Sequence, residues 1–357
     1  MNPIIENDLR EIVAVDYINW ERFRNKTVLI TGANGMLPSY MVETLLHLNR
    51  TRAYNVKVLA LVRNLSKGKA CFSEYDETDG LHFIEQDVCT PMQYGDDIHF
   101  IVHAASQAAP SFYGKDPIGT ITANVMGTKN MLDLALTKKT ESFLYFSSGA
   151  VNGDHSNDTE AITETSYAPI DPIQVKNCYP ISKMMGENLC ISYGHQFGVR
   201  ATIVRIVHTL GPHIQLNDGR AFSDFTKAIV EGKDIVLKSD GTATRPFLYI
   251  TDATCAFFKI LLDGESSNVY NVGADLGNEI SMRDLAQILV NSYPEKNLKV
   301  VFEIDEDDLT YSKMKSPQTQ SRFNYDKLKK LGWAQCVSVK EAFCRTIDSK
   351  VIEQNGD

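Results

Sequence analysis

The segment TVLIT at 27–31 runs straight into the turn GANG and then into a helical pattern from about 36 to 48. A β-branched strand that hands over to a helix through two glycines is a narrow commitment: the backbone turns within four residues, and the strand after the helix lies parallel to the first. The alternation repeats with KVLALV at 57–62, HFIVHAA at 99–105, a helix over about 117–136, SFLYFSS at 142–148, a helix over 179–197 and RATIVRI at 200–206. This spacing predicts an α/β fold with a Rossmann-type, doubly wound parallel sheet. The C-terminal third mixes short strands (DIVLK, NVYNV) with helices near 281–292 and 338–349, which predicts a smaller C-terminal α/β lobe. Ahead of the first strand, Leu9, Ile12, Val13, Tyr17, Trp20 and Phe23 mark a helical stripe over 9–23 that docks on the main body.

Composition narrows the partners. A formal charge of −9 argues against nucleic acid and anionic membranes, which need concentrated Lys and Arg. The N-terminus carries acids where a signal peptide needs bases, and no window approaches the ~18 apolar residues of a membrane span. The expectation is a cytoplasmic protein. Cysteines 71, 89, 178, 190, 255, 336 and 344 show no CxxC spacing and read as reduced thiols. The histidines lack metal-ligand spacing, so no metal is expected. The acidic run at 303–308 lacks EF-hand spacing and reads as a solvated loop.

The chemistry begins at TGANGMLPSY, 31–40. Gly32 and Gly35, with Asn34, Met36 and Leu37, turn amide N–H groups and a helix N-terminus toward a pyrophosphate. A glycine turn without a ligand is the plainer reading. Pro38 stands where a third glycine usually allows close packing, a position in the first helical turn that tolerates proline. Arg63 and Asn64 end the next strand, where an acid would bind the free ribose hydroxyl of NAD(H); the arginine there favours NADP(H), although it reads equally as stacked or solvated. Asp87 and Val88 are placed for the adenine edge, and Ala104 and Ala105 leave room for the cofactor. In NCYPISK, Tyr179 and Lys183 are four apart and share a helix face. A nearby ammonium favours the phenolate, and Ser148 supplies a hydrogen bond to the reacting oxygen. A lone YxxxK means little; after a glycine turn, a β/α series and a strand ending in serine it carries weight.

With these motifs the chain resembles the extended short-chain dehydrogenase/reductases of the nucleotide-sugar epimerase/dehydratase group over roughly 26–350. HAASQAAPSFYGKDPIGTITANVMGTKNML, GPHIQLNDGR and RPFLYITD are most similar to its UDP-glucuronate decarboxylase members. The resemblance implies oxidation at carbon 4 of a nucleotide sugar, UDP-linked above all, with Ser148, Tyr179 and Lys183 as the catalytic trio. It implies diphosphate contacts from Arg220 and Arg245, His208 near the diphosphate in place of an asparagine, and sugar contacts from Ser111, Phe112 and Tyr113. Each arginine also reads as a surface ion pair, and His208 as structural. A homodimer is implied, through helices that include the one bearing Tyr179. The division is then a docking helix at 1–25, a dinucleotide-binding domain at 26–206 with about 244–264, and a nucleotide-sugar lobe at about 207–243 and 265–357.

The departures select among reactions. Dehydratases of the group carry an Asp-Glu pair after the serine or threonine, and decarboxylases keep the glutamate; here Gly149 and Ala150 stand there. Asn152 replaces a tyrosine. Elimination needs an acid and a base at the sugar, so simple hydride transfer at carbon 4 is expected: a 4-epimerase or a 4-ketosugar reductase. Decarboxylation is the alternative, since a β-keto acid loses carbon dioxide readily. A non-catalytic nucleotide-sugar or dinucleotide-binding protein is the reading from another class.

Overall fold

The structure, a computed structural model, describes residues 1–108, 113–155, 160–217, 219–274, 279–303 and 322–356. Strands β1 (Thr27–Thr31), β2 (Lys57–Val62), β3 (Leu81–Glu85), β4 (Phe100–His103), β5 (Ser142–Ser148) and β6 (Ala201–Ile206) form one parallel sheet with the strand Asn268–Val272. The order is Asn268–Val272, β6, β5, β4, β1, β2, β3. β1, β2, β5 and β6 are buried along nearly their whole length, which is why they read as continuous apolar runs: helices cover both faces. The strand order reverses between β1 and β4, whose ends Thr31 and His103 lie in register. A crevice opens at such a reversal, at the carboxyl ends of the strands.

Three expectations about the elements change. The strand Asn268–Val272, read as part of the smaller lobe, completes the main sheet by parallel pairing with β6 from Asn268↔Thr202 to Val272↔Ile206. The stripe at 9–23 is not one helix. Helix α1 spans Pro3–Ala14, capped by the Asn2 side chain on the Ile4 N–H at 3.0 Å, and Trp20–Phe23 is a separate single turn. The intervening β-branched and Asp/Asn residues favour extended and turn backbone over helix. The break lets Trp20 and Phe23 reach Phe258 at 5.1 and 5.4 Å between ring centroids. The predicted helix over 117–136 is Pro117–Thr122 and Thr128–Lys138, joined through a π-helical turn at Ala123–Gly127. In that turn buried Asn124 donates to the Ser182 hydroxyl at 2.9 Å, tying it to the helix that carries Tyr179.

α1 docks through Ile5, Leu9, Ile12 and Val13, and also through Asp8, which accepts from the hydroxyls of Tyr40 (2.9 Å) and Tyr249 (2.7 Å) and pairs with Arg345. The rest of the C-terminal part holds, among the described residues, three two-stranded pairings. Thr209–Leu210 pairs with Leu248–Tyr249, Ile235–Leu237 with Val300–Phe302, and Thr244–Pro246 with Glu279–Ser281. The helices there, among the described residues, are Ala221–Val230, Ile250–Asp263, Met282–Ser292, the single turn Asp326–Lys329 and Val339–Gly356. No helix among the described residues is long and apolar enough to cross a membrane. Of the acidic run at 303–308, only its first residue is described.

Candidate active site

A cavity of about 1070 Å³ lies at the carboxyl ends of β1, β4, β5 and β6. Its floor at one end is the glycine turn, where Gly32, Asn34, Gly35, Met36 and Leu37 meet Ala104 and Ala105. Gly32 has φ +62°, and a Cβ there would come within 2.9 Å of Ala105 Cα. Only glycine permits this approach. Helix α2 (Met36–Arg52) starts at Gly35 with no side-chain cap, leaving its first amides facing the cavity. This cradle suits an anionic, elongated ligand such as a dinucleotide pyrophosphate. Thr31 Oγ1 holds the neighbouring loop by accepting from the N–H groups of Ala104 (3.2 Å) and Ala105 (3.1 Å). The hydroxyl proton therefore goes to His103 Nδ1 at 2.8 Å. Burial pulls His103 down to about 3, so the imidazole is neutral.

Arg63, Asn64, Asp87 and Val88 do not line this cavity. Arg63 is exposed at the end of β2, and its charge reaches Asp116 and Cys89. Asn64 caps helix α3 (Leu65–Cys71), accepting from Lys67 N–H at 2.8 Å. Asp87 accepts from Cys89 N–H at 2.8 Å, and Val88 is buried with its carbonyl taking the Asn130 amide at 2.9 Å.

At the centre, Ser148 ends β5, and the helix Cys178–Phe197 brings Tyr179 and Lys183 against it. Burial pushes the Tyr179 phenol up to about 12, opposed by its hydrogen bond with Ser148. Lys183 is only 2% exposed, and burial draws its ammonium down to about 7 against the upward pull of Glu187. Its Nζ donates to the Phe146 carbonyl at 2.6 Å, above the Tyr145 ring. The Tyr113 ring stacks on Tyr179 at 5.3 Å and 16° between planes. Ser111 and Phe112 lie outside the described residues.

Glu187, one turn after Lys183, was not singled out from the sequence. It accepts the Ser147 hydroxyl at 2.6 Å and a two-pronged Arg205 guanidinium at 2.9 and 2.8 Å. Arg205 goes on to the Glu164 carbonyl (2.9 Å) and the Tyr167 hydroxyl (3.0 Å), so one buried ion pair joins the helix, β5, β6 and the 164–167 loop. An acid four residues past the lysine was a readable signal. A buried arginine on β6 was not.

The positions after Ser148 explain themselves in space. A Cβ on Gly149 would lie 2.9 Å from the Phe323 ring, so the chain's C-terminal part fills the place where a side chain would project. Ala150 lines the cavity with a methyl group. Asn152 is buried and ties the following loop, donating to the Ser166 carbonyl at 2.8 Å while its own carbonyl accepts Ala168 N–H at 2.7 Å.

At the far end His208 and Arg220 line the cavity. Burial, then the charges of Arg245 and Arg220, pull His208 down to about 4, which places both guanidinium groups within its electrostatic reach. Arg245 itself is not part of the lining; its guanidinium donates to the Thr244 carbonyl at 2.7 Å. The His208 ring packs on Phe222 and Phe247, and Arg220 lies over Phe222 at 4.7 Å. His213 also lines the cavity and meets Glu43 at 3.1 Å. Among the described residues no group of three or more His, Cys, Asp or Glu could hold a metal.

The family model described as the NAD dependent epimerase/dehydratase family matches residues 28–273. A relative, UDP-glucuronic acid decarboxylase 6 of Arabidopsis thaliana, is 28% identical over 89% of this chain and 86% of its own length. UDP-glucuronic acid decarboxylase 1 of Xenopus tropicalis is 30% identical over 70% of this chain and 56% of its own length. In fold the chain is similar to UDP-glucuronic acid 4-epimerase from Bacillus cereus, solved with UDP-glucuronic acid and NAD (TM-score 0.73, 23% identity, 92% of this chain and 99% of that one). It is similar also to UDP-glucose 4-epimerase from Thermotoga maritima (TM-score 0.73, 20% identity, 93% and 100%). A glycine-turn cradle, a Ser-Tyr-Lys trio and a family match across two thirds of the sequence agree: this chain is an enzyme of the NAD dependent epimerase/dehydratase family.

Proposed function

We propose that the protein transfers hydride at carbon 4 of a nucleotide diphosphate sugar, as a 4-epimerase or a 4-ketosugar reductase, with Tyr179 as the acid/base. The observation that carries this is the environment of Ser148: the trio is assembled, while Phe323 and the Ala150 methyl stand where an elimination would need carboxyl groups. A dinucleotide whose pyrophosphate rests in the glycine turn would supply a nicotinamide as hydride acceptor or donor. Ser148 orients the carbon-4 oxygen, and Tyr179 Oη takes or gives its proton. Lys183 stabilises the phenolate whenever it is an ammonium. Burial holds the Tyr179 phenol up at about 12, so removal of its proton calls for a neighbouring positive charge. Arg63 at the end of β2 supports NADP(H) over NAD(H). Arg220 and Arg245 are proposed to hold the diphosphate beside a neutral His208, and Tyr113 to contact the sugar.

Decarboxylation of a UDP-uronic acid is the second reading, favoured by the relatives that carry that name. The deciding experiment is to purify the protein without added cofactor, denature it and identify released dinucleotide and nucleotide sugar by mass spectrometry. Stoichiometric retained dinucleotide supports a closed cycle, epimerisation or decarboxylation. An empty site that prefers NADPH supports the reductase. Tyr179→Phe is expected to abolish turnover with ligand binding kept; an unchanged rate overturns the proton-transfer assignment. A homodimer is also proposed, supported by the apolar side chains Ile118, Ile121, Met126, Met184 and Met185 exposed on the 117–127 helical run and the Tyr179 helix.

A further inference from the structure

The cavity beside Ser148 has one apolar wall, and it is built from distant parts of the chain. Ile162 N–H donates to the Arg322 carbonyl at 2.6 Å and Asn324 N–H to the Ile162 carbonyl at 2.8 Å, a parallel bridge that fixes Phe323 next to Ile162. The Asn271 amide clamps both segments from the sheet edge, reaching the carbonyls of Ile162 and Asn324 at 3.2 Å each. Ile162, Phe323 and Tyr325 form their own buried cluster with Val207 against it. Phe323, Ile162 and Val207 line the cavity, and the Phe323 ring covers Gly149, the residue directly after Ser148.

We propose that this wall makes Phe323 and Ile162 the residues that select the substituent on carbon 5 of the sugar, admitting hydrogen or methyl and rejecting carboxylate. The substrate class is then a nucleotide-linked pentose or 6-deoxyhexose, or its 4-keto form, rather than a uronic acid. The inference rests on the proposed reaction, in which Ser148 and Tyr179 hold the carbon-4 oxygen. Of the two flanking carbons, carbon 3 ordinarily bears a hydroxyl that needs a hydrogen-bond partner, so a wall of phenyl and alkyl groups suits the carbon-5 side. A carboxylate pressed on it would lose hydration, and the side chains of Ile162, Phe323 and Val207 offer it no donor. Among the polar side chains that also line the cavity, Asp154, His155, Asp171, Lys176, Lys183 and Arg220 do not belong to the Ile162–Phe323–Tyr325 cluster.

The test uses the full chain loaded with dinucleotide and four ligands that differ only at carbon 5: UDP-xylose (hydrogen), UDP-6-deoxyglucose (methyl), UDP-glucose (hydroxymethyl) and UDP-glucuronate (carboxylate), with UDP alone in parallel. Calorimetric Kd values are expected to favour the hydrogen or methyl compound over the carboxylate by at least about tenfold. Phe323→Ala should compress that ratio at least about threefold without moving the UDP affinity, and Phe323→Leu should compress it less. The wild-type series stands even where a variant fails to fold. Wild-type protein that binds the carboxylate as tightly as the methyl compound, while UDP binds normally, overturns the wall's role and leaves the carbon-4 reading intact. So does an unchanged ratio in a folded Phe323→Ala. Failure of UDP and of all four sugars overturns the nucleotide-sugar reading, and the selectivity with it.

Discussion

The buried pair behind Lys183 is where a conservative change should be most expensive. Arg205 has no side-chain exposure and Glu187 only 10%, and the guanidinium meets both carboxylate oxygens. In Glu187→Gln the new carbonyl oxygen can still accept from Ser147 and Arg205 Nε, but the amide N–H groups replace the other oxygen and face Arg205 Nη2, donor against donor. Removing one partner of such a pair costs about 3–5 kcal/mol, because a buried charge is left uncompensated. Unfolding entropy of roughly 2.1 cal/mol/K per residue gives about 0.75 kcal/mol/K for a chain of this length, so the melting temperature should fall by about 4–7 °C. Glu187→Leu with Arg205→Met removes both charges at similar volume and should recover most of that loss. The change also reaches the chemistry. Glu187 holds Lys183 toward its charged form, so in Glu187→Gln Lys183 falls further below its already lowered position near 7. The ammonium proposed to support the phenolate is then lost at a lower pH, and the alkaline limb of kcat/KM should move to lower pH. Scanning calorimetry and a pH–rate profile read the two effects separately. A Glu187→Gln protein that melts within about 1 °C of wild type would refute the reasoning.

Gly32→Ala places a Cβ at φ +62° against the Ala105 backbone, and it should weaken dinucleotide binding at least about tenfold; fluorescence titration with NADH and NADPH checks this, and unaltered affinity for both would mean the turn is not the cradle. His208 is held neutral down to about 4, below the ordinary histidine value near 6.5, so the unfolded chain binds the extra proton between those values and stability falls as pH drops through that window. His208→Asn should flatten that part of the melting-temperature curve, and a curve with the same slope would count against the assignment. Met185→Asp, on the exposed face of the Tyr179 helix, should convert a dimer into monomers by light scattering with the far-ultraviolet spectrum unchanged. A dimer that survives it places the interface elsewhere.

What the sequence revealed and what it hid divide along sequence distance. β1, β2 and β5 were readable to the residue, because a strand buried on both faces announces itself as a continuous apolar run with local boundaries. The glycine turn and the i,i+4 pair of Tyr179 and Lys183 are equally local, and the structure brings both to one cavity. The strand Asn268–Val272 was also recognised as a strand, yet its sheet was misjudged, since a five-residue strand carries no information about its partner. Gly149 shows the limit most clearly. From sequence its lack of a carboxylate reads as a loss, whereas in space its place beside Ser148 is taken by Phe323, 174 residues away. Restoring the Asp-Glu pair by Gly149→Asp with Ala150→Glu should therefore not by itself restore elimination chemistry. The new carboxylate at position 149 would meet a phenyl ring and apolar Val207 where it needs a polar substrate. Only with Phe323→Ala alongside is there room for it. If Gly149→Asp with Ala150→Glu stays as stable as wild type and dehydrates a nucleotide hexose while Phe323 is kept, the Phe323 wall is not the constraint that separates this chain from the eliminating members of its family.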